Sequence, residues 1–143
     1  MSNDPLATAV PAPELSLGIP DMDRTHHEFL DLCARTRQAD AATFAAHLRA
    51  LRDHTLVHFA NEEALMRESA FPATAEHSSE HQRVLGELDR FLARAEAGSQ
   101  VLARAWLVDQ VPEWFRSHLL SMDSALAAHL KGTGAAQYVH LRV

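Results

Sequence analysis

Histidines and acidic residues recur at helical spacing in the segment HFANEEALMRESAFPATAEHSSEH, residues 58–81. His58 and Glu62 are four residues apart, and so are His77 and His81. Residues four apart lie on one face of an α-helix, so each pair can address one point. Imidazole and carboxylate groups are ligands of transition metals, and imidazole is also the side chain that titrates near neutral pH. The spacing therefore indicates metal-binding pairs on two consecutive helices.

Coincidence is the competing explanation for any one pair. The chain has ten histidines in 143 residues, so an HxxxH or HxxxE spacing arises easily. Two pairs on neighbouring helices are harder to obtain by chance when each lies on an apolar face. The second pair continues into Val84, Leu85 and Leu88, which identifies such a face. Buried polar groups are costly when unpaired, and a shared metal would supply their partners.

Three further ligand-type residues lie on the first and last predicted helices. His26 is one turn before Leu30, and His118 is one turn after Trp114. Asp123 follows His118 by five residues, which turns an α-helix by about 140°. From this spacing alone, Asp123 is predicted to be a solvated surface acid, unless the site is wide enough for two metals bridged by its carboxylate.

Stretches of helical periodicity must position these groups, and the sequence contains four of them. The first is predicted at about 23–38 and the second at about 40–68, with Asp40 as its N-cap. The third is predicted to carry Pro72 in its first turn and to stop at Gly98. No stretch alternates at period two for long enough to indicate a β-sheet.

The fourth helical stretch contains a proline. It is predicted to begin near Ser99, and Pro112 lies inside it. A proline removes one backbone hydrogen bond and clashes with the preceding turn. We therefore expect a kink near Asp109, or a break into two pieces of which the second occupies about 112–131.

Four helices with short links predict an all-α fold, an up-down-up-down four-helix bundle at residues 21–131. The Pro- and Ala-rich residues 1–20 show no periodicity and are predicted to form an extended N-terminal arm. Residues 132–143 contain two glycines at their start and are predicted to form a loosely held C-terminal tail. The length of the chain fits one domain with a real core.

Composition excludes several classes of protein. The net charge is −6 and the thirteen basic residues are scattered, which argues against a nucleic-acid-binding face. Apolar stretches are short and broken by charge, so we expect no membrane span. The N-terminus does not resemble a secretory signal, which predicts a cytoplasmic location. The single cysteine, Cys33, excludes an intramolecular disulfide and a CxxC site, and we expect it to be a buried small hydrophobe.

Four motifs closely resemble those of the hemerythrin family in its bacterial form. They are DRTH at 23–26, HFANEE at 58–63, HSSEH at 77–81 and WFRSHLLSMD at 114–123, and the resemblance extends over about residues 15–130. The resemblance implies a non-haem centre of two iron ions joined by an oxo or hydroxo bridge. Two departures from the family pattern are Pro112 in the last helix and Leu15 where an aromatic residue is common.

The resemblance also implies a role for each ligand-type residue. One iron would be held by His77, His81 and His118, and the other by His26 and His58. Glu62 and Asp123 would bridge the two irons, so Asp123 need not share the helix face of His118. One coordination position would remain vacant on the two-histidine iron. Nearby apolar residues would keep the pocket dry: Phe29, Phe59, Trp114, Phe115 and Met122.

Reversible dioxygen binding is the function that the resemblance implies, for storage, delivery or sensing. Nitric oxide is a second small ligand of the same kind. A redox partner, an oxygen-using enzyme or a sensing partner would be a separate protein. A di-iron enzyme, such as an oxidase, peroxidase or nitric oxide reductase, ranks lower because no acid–base residue is obviously poised for turnover. A third alternative is a structural bundle that holds zinc or iron inertly.

The remaining histidines are predicted not to bind metal. His54 extends the second motif to HxxxHxxxE, but the family has no ligand there. His27 is about 100° around the helix from His26 and points off the site. His47, His129 and His140 are predicted to face solvent.

Overall fold

The computed structural model describes residues 15–134, and its secondary structure is helical throughout that range, with short turns between the helices. The helices are α1 (Pro20–Gln38), α2 (Phe44–Glu68), α3 (Thr74–Glu96), α4 (Val101–Asp109), α5 (Val111–His118) and α6 (Ser124–Thr133). A π-helical turn, Leu119–Asp123, joins α5 to α6 without a gap. The pieces from α4 to α6 together form the fourth helix of a bundle.

Contacts between the helices show that neighbours run in opposite directions. Near the start of α2, Arg49 pairs with Glu96 at the end of α3, and further along α2 the ring of Phe59 stacks on His81. Phe29 of α1 packs on Trp114 of the fourth helix, while the backbone of Leu17, just before α1, contacts Lys131 near the end of that helix. The same order of contacts joins α1 to α2, through Phe29 with His58 and Thr36 with His47, and α3 to the fourth helix. The predicted up-down-up-down bundle is confirmed.

The first helix begins three residues earlier than predicted. Pro20 occupies its first turn, and the carboxylate of Asp23 accepts hydrogen bonds from the backbone N–H groups of Leu17 and Gly18, at 2.8 and 3.2 Å. Gly18 has φ +75°, a conformation that favours glycine. Residues 1–14 of the predicted arm lie outside the described residues. Leu17 and Ile19, within its described part, are buried in the core.

The turns between helices follow the predicted stops, with small shifts in the starts. Asp40 accepts hydrogen bonds from the backbone and the hydroxyl of Thr43, so it caps the turn that leads into α2 instead of the first residue of the helix. Pro72 lies in the turn before α3. Gly98 follows the end of α3 with φ +101°, as the predicted stop requires. The predicted tail partly belongs to α6, and its residues from 135 onward lie outside the described part.

Pro112 breaks the fourth helix as predicted. Gln110 separates α4 from α5, and Pro112 lies in the first turn of α5. Backbone N–H groups in a first turn have no partner within the helix, so a proline there removes no helical hydrogen bond. The π-helical turn that follows α5 was not predicted. Its backbone hydrogen bond runs from the N–H of Ser124 to the carbonyl of Leu119, five residues back.

The core is a single cluster of apolar side chains drawn from every helix, and Cys33 lies within it, fully buried as predicted. Among the described residues, no helix is both long and apolar enough to cross a bilayer.

Candidate metal centre

Seven buried polar side chains meet in the middle of the bundle. α1 supplies one of them, α2 and α3 supply two each, and the last two come from α5 and the π-helical turn. Each has at most 6% of its surface exposed. They are the seven predicted site residues: His26, His58, Glu62, His77, His81, His118 and Asp123.

The carboxylate of Glu62 lies between two groups of imidazoles. Its Oε2 is 2.7 Å from Nε2 of His58 and 3.4 Å from Nε2 of His26. Its other oxygen, Oε1, is 3.1 Å from Nε2 of His81 and 3.4 Å from Nε2 of His77. Each oxygen of this one side chain therefore faces a different group of histidines.

Asp123 has the same arrangement from the opposite side of the bundle. Its Oδ2 is 3.2 Å from Nε2 of His26. Its Oδ1 is 3.1 Å from Nε2 of His77 and 3.2 Å from Nε2 of His118. The site thus has a two-histidine half, His26 with His58, and a three-histidine half, His77 with His81 and His118.

Each half has the geometry of a possible metal site. In the three-histidine half, one atom from each imidazole and one from Glu62 all lie within 4.8 Å of one another. The same limit holds for the two-histidine half together with Glu62. Imidazole nitrogens with carboxylate oxygens suit iron, zinc and related metals.

The π-helical turn explains how Asp123 reaches the site. The prediction of a surface acid from spacing alone was wrong, because Asp123 is only 1% exposed. That prediction assumed an unbroken α-helix, in which residues five apart point in different directions. A π-helical turn holds an extra residue, so His118 and Asp123 face the same point. The two side chains do share a face.

Charge balance dominates the titration of the site in the metal-free protein. Burial by itself lowers the pKa of His26, but the carboxylates of Asp123 and Glu62 outweigh it and raise that pKa to about 10. The same competition raises the pKa of His77 to about 9. Burial raises the pKa of each carboxyl group, yet the surrounding histidines hold both well below their ordinary values. Without metal, protons on imidazoles therefore balance the two carboxylates.

Many polar atoms of the site still have no hydrogen-bond partner among the described residues. They include Nε2 of His26, His77, His81 and His118, together with Oε1 of Glu62 and Oδ1 of Asp123. Buried polar atoms in native proteins are almost always paired, so such a cluster calls for an explanation. All these atoms converge on the two halves, and metal ions there would satisfy them. The residues therefore fit bound metal.

Aromatic rings surround the imidazoles. Phe59 stacks on His81 with ring centroids 3.8 Å apart, and Trp114 stacks on His118 at 4.9 Å. Phe115 meets His26 edge-on at 5.8 Å. Among the apolar residues that were predicted to keep the pocket dry, Phe29, Phe59 and Phe115 are buried. The other two, Trp114 and Met122, are half-buried.

Two acidic residues beside the predicted site residues were not predicted. Glu63 Oε2 lies 3.5 Å from Nδ1 of His81. Glu80 accepts a hydrogen bond from the indole N–H of Trp114 at 2.8 Å, and Arg83 lowers the pKa of Glu80 to about 2. Both directly adjoin ligand-type residues in the motifs HFANEE and HSSEH, which is the only sequence feature that could have identified them. Such groups orient metal ligands.

The other histidines lie outside the cluster. His54 is half-buried, its ring centroid is 6.0 Å from that of His58, and burial lowers its pKa. His27 is half-buried as well. His47 and His129 were predicted to face solvent, but both are half-buried and donate hydrogen bonds to backbone carbonyls. His129 bonds the carbonyl of Ser69 and so ties α6 to the end of α2. His140 lies outside the described residues.

Comparison with known proteins gives consistent matches over most of the chain. The family model described as the hemerythrin HHE cation binding domain matches residues 17–130. A bacteriohemerythrin from Ralstonia nicotianae is 37% identical over 120 residues, which cover 84% of this chain and 87% of that protein. A bacteriohemerythrin from Stenotrophomonas maltophilia is 25% identical over 122 residues, covering 82% and 78%. One from Pseudomonas aeruginosa is 26% identical over 115 residues, covering 78% and 74%.

Proposed function

Because this chain belongs to the hemerythrin family, we propose that it binds dioxygen reversibly at a di-iron centre. His77, His81 and His118 would hold one iron, and His26 and His58 would hold the other. Glu62 and Asp123 would bridge the two ions. The same binding step would serve storage of dioxygen, its delivery to another protein, or sensing.

One observation carries the proposal: both carboxylates present one oxygen to each half of the site. Glu62 does so from α2 and Asp123 from the π-helical turn, with oxygen-to-nitrogen distances of 2.7 to 3.4 Å. A centre for one metal needs no such pair of bridging acids. Two bridges between unequal groups of histidines support two metal ions held side by side.

The unequal number of histidines supports a ligand position on one side only. The three-histidine half offers one more imidazole than the two-histidine half, so an iron in the latter would have a coordination position left for a small molecule. Two ferrous ions would supply the two electrons that dioxygen accepts on binding. The protein's own contribution is a dry and rigid surrounding, which the rings of Phe29, Phe59 and Phe115 provide.

Visible absorption of the reduced protein on exposure to air tests the proposal. Anaerobically reduced, iron-loaded protein should be nearly colourless, gain visible bands in air, and lose them again on degassing. Direct conversion to a stable oxidised spectrum would contradict reversible binding. Continuous consumption of dioxygen when a reductant is supplied would instead favour a di-iron enzyme. Metal analysis that finds only zinc, with no spectral change, would leave an inert structural site.

A further inference from the structure

A cavity of about 200 Å³ lies between α1 and α2 and reaches the metal centre from outside. Its wall includes Val57, which is 59% exposed, and His58 and Glu62, which are 6% and 3% exposed. Met22 and Leu65, both buried, line it as well. The cavity therefore connects the surface of the bundle to its interior.

The cavity serves only one half of the site. His58 belongs to the two-histidine half, whereas none of the three-histidine half, His77, His81 and His118, lines the cavity. Two other cavities, both beside Trp106 and Gln110, are lined by none of the seven site residues. Among these three cavities, the one between α1 and α2 alone meets the centre, at the half that keeps an open position.

The size of the cavity limits what can pass. A water molecule occupies about 30 Å³ of liquid, so the cavity has room for several small molecules. Pockets for organic ligands are usually larger, roughly 300–1,000 Å³. The space therefore admits molecules of two or three atoms and is smaller than most pockets for organic ligands.

We propose that small ligands enter and leave the two-histidine half through this cavity, and that Val57 forms its outer gate. This access route rests on the proposed function for the chemistry at its inner end. The route itself depends only on the walls of the cavity, so it can be tested with and without iron.

The iron-dependent test follows azide, a three-atom ligand, binding to the oxidised iron-loaded protein in stopped-flow measurements. Val57→Trp should slow association and dissociation by a similar factor, about tenfold or more, because a gate raises the barrier in both directions. Val57→Ala should speed both rates. The azide dissociation constant, the iron content and the absorption spectrum should stay unchanged.

Leu56→Trp is the matched control. Leu56 is the adjacent residue, it is 44% exposed, and it does not line the cavity. This variant places the same tryptophan side chain one residue away from the cavity wall and should keep wild-type rates. Equal azide rates in Val57→Trp, Leu56→Trp and wild type would overturn the proposed route.

The iron-independent test uses dissolved dioxygen as a paramagnetic probe of the zinc-loaded protein. Methyl resonances of Met22 and Leu65 should relax faster under dioxygen in wild type and in Leu56→Trp, and this effect should weaken in Val57→Trp. An unchanged effect in Val57→Trp would overturn the route. Iron-loaded wild type that binds no azide would instead count against the proposed function, and the dioxygen relaxation result would then decide the route alone.

Discussion

Glu62 and Asp123 illustrate why the site groups depend on one another. A carboxylate buried in an apolar bundle is unfavourable unless cations or strong donors surround it. Five imidazoles surround these two acids, and with metal absent the protons on His26 and His77 balance their charge. A metal pair would replace those protons with fixed positive charge, which leaves each imidazole neutral and each carboxylate oxygen coordinated.

Alanine substitutions can distinguish a histidine that binds metal from one that only lies nearby. His58→Ala should remove the metal from the two-histidine half, because only His26 would remain there as an imidazole ligand. His54→Ala is the matched control, since His54 is one turn away on the same helix and its ring centroid is 6.0 Å from that of His58. We expect iron per chain to fall in the first variant and to stay at the wild-type value in the second. Equal loss in both would contradict the ligand assignment.

Metal binding should release protons at neutral pH. His26 and His77 have pKa values raised to about 10 and 9 in the metal-free protein, so both are protonated at pH 7. A metal ligand must be neutral imidazole, so binding displaces these protons and metal affinity should rise as pH increases toward 9. Calorimetric titration of the metal-free protein in buffers of different ionisation enthalpy measures the number released. A binding enthalpy that is the same in all buffers would contradict this prediction.

The π-helical turn brings His118 and Asp123, both in the motif WFRSHLLSMD, to the same point in the bundle. An α-helix continued through residues 119–123 would point the aspartate away from His118. The extra residue is accommodated locally, so α5 and α6 each keep an apolar face on the core. Phe115 lies before the turn and Leu126 after it, and both are buried. Rare turns of this kind are frequent at functional sites.

Ser124 should stabilise this turn. Its hydroxyl donates to the carbonyl of Leu119 at 2.8 Å, alongside the backbone N–H bond to the same carbonyl. Ser124→Ala should lower the free energy of unfolding by about 1 kcal/mol and weaken metal retention, because the turn that places Asp123 loses a hydrogen bond. Chemical denaturation and iron retention after dialysis measure the two effects.

Ser121→Ala provides the comparison for Ser124. Ser121 is exposed, and its hydroxyl bonds the carbonyl of Ser117 four residues back, as in an ordinary helix. Its loss should leave iron retention unchanged. If Ser121→Ala and Ser124→Ala lost iron equally, the proposed support of the turn by Ser124 would be wrong.

The metal centre connects all parts of the bundle. Its seven groups come from α1, α2, α3, α5 and the π-helical turn, so metal bound by them would cross-link the four helices at their middle. Without metal, the same groups are buried polar atoms with few partners among the described residues. Stability and metal occupancy should therefore change together.

Removing the metal should destabilise the whole fold. Metal that binds only the folded state at a thousandfold excess over its dissociation constant contributes about 4 kcal/mol. For a chain of this size, a loss of that order should lower the thermal midpoint by roughly 10 °C or more. Thermal unfolding before and after chelation, and again after adding ferrous iron, measures the effect. An unchanged midpoint would show that the bundle does not depend on its metal.

The residue pattern alone predicted most of the fold and six of the seven residues of the cluster. Helical periodicity and residues such as Gly98 and Pro112 act locally, so the four helices and the break near Asp109 follow from short-range chemistry. The sequence could pair His58 with Glu62, and His77 with His81, because residues four apart lie on the same face of an α-helix. The resemblance to a known family added Asp123, which spacing alone had placed on the surface.

Tertiary packing determined the features that depend on several helices at once. The π-helical turn depends on α5 and α6 both packing on the core, and no residue type in the sequence indicates it. The same is true of the orientation of each carboxylate oxygen toward a different half, and of the cavity beside Val57. His129 is half-buried because α6 packs against the end of α2. Local sequence specifies helices and their polar faces, whereas distances between helices arise only when all their apolar faces are buried together.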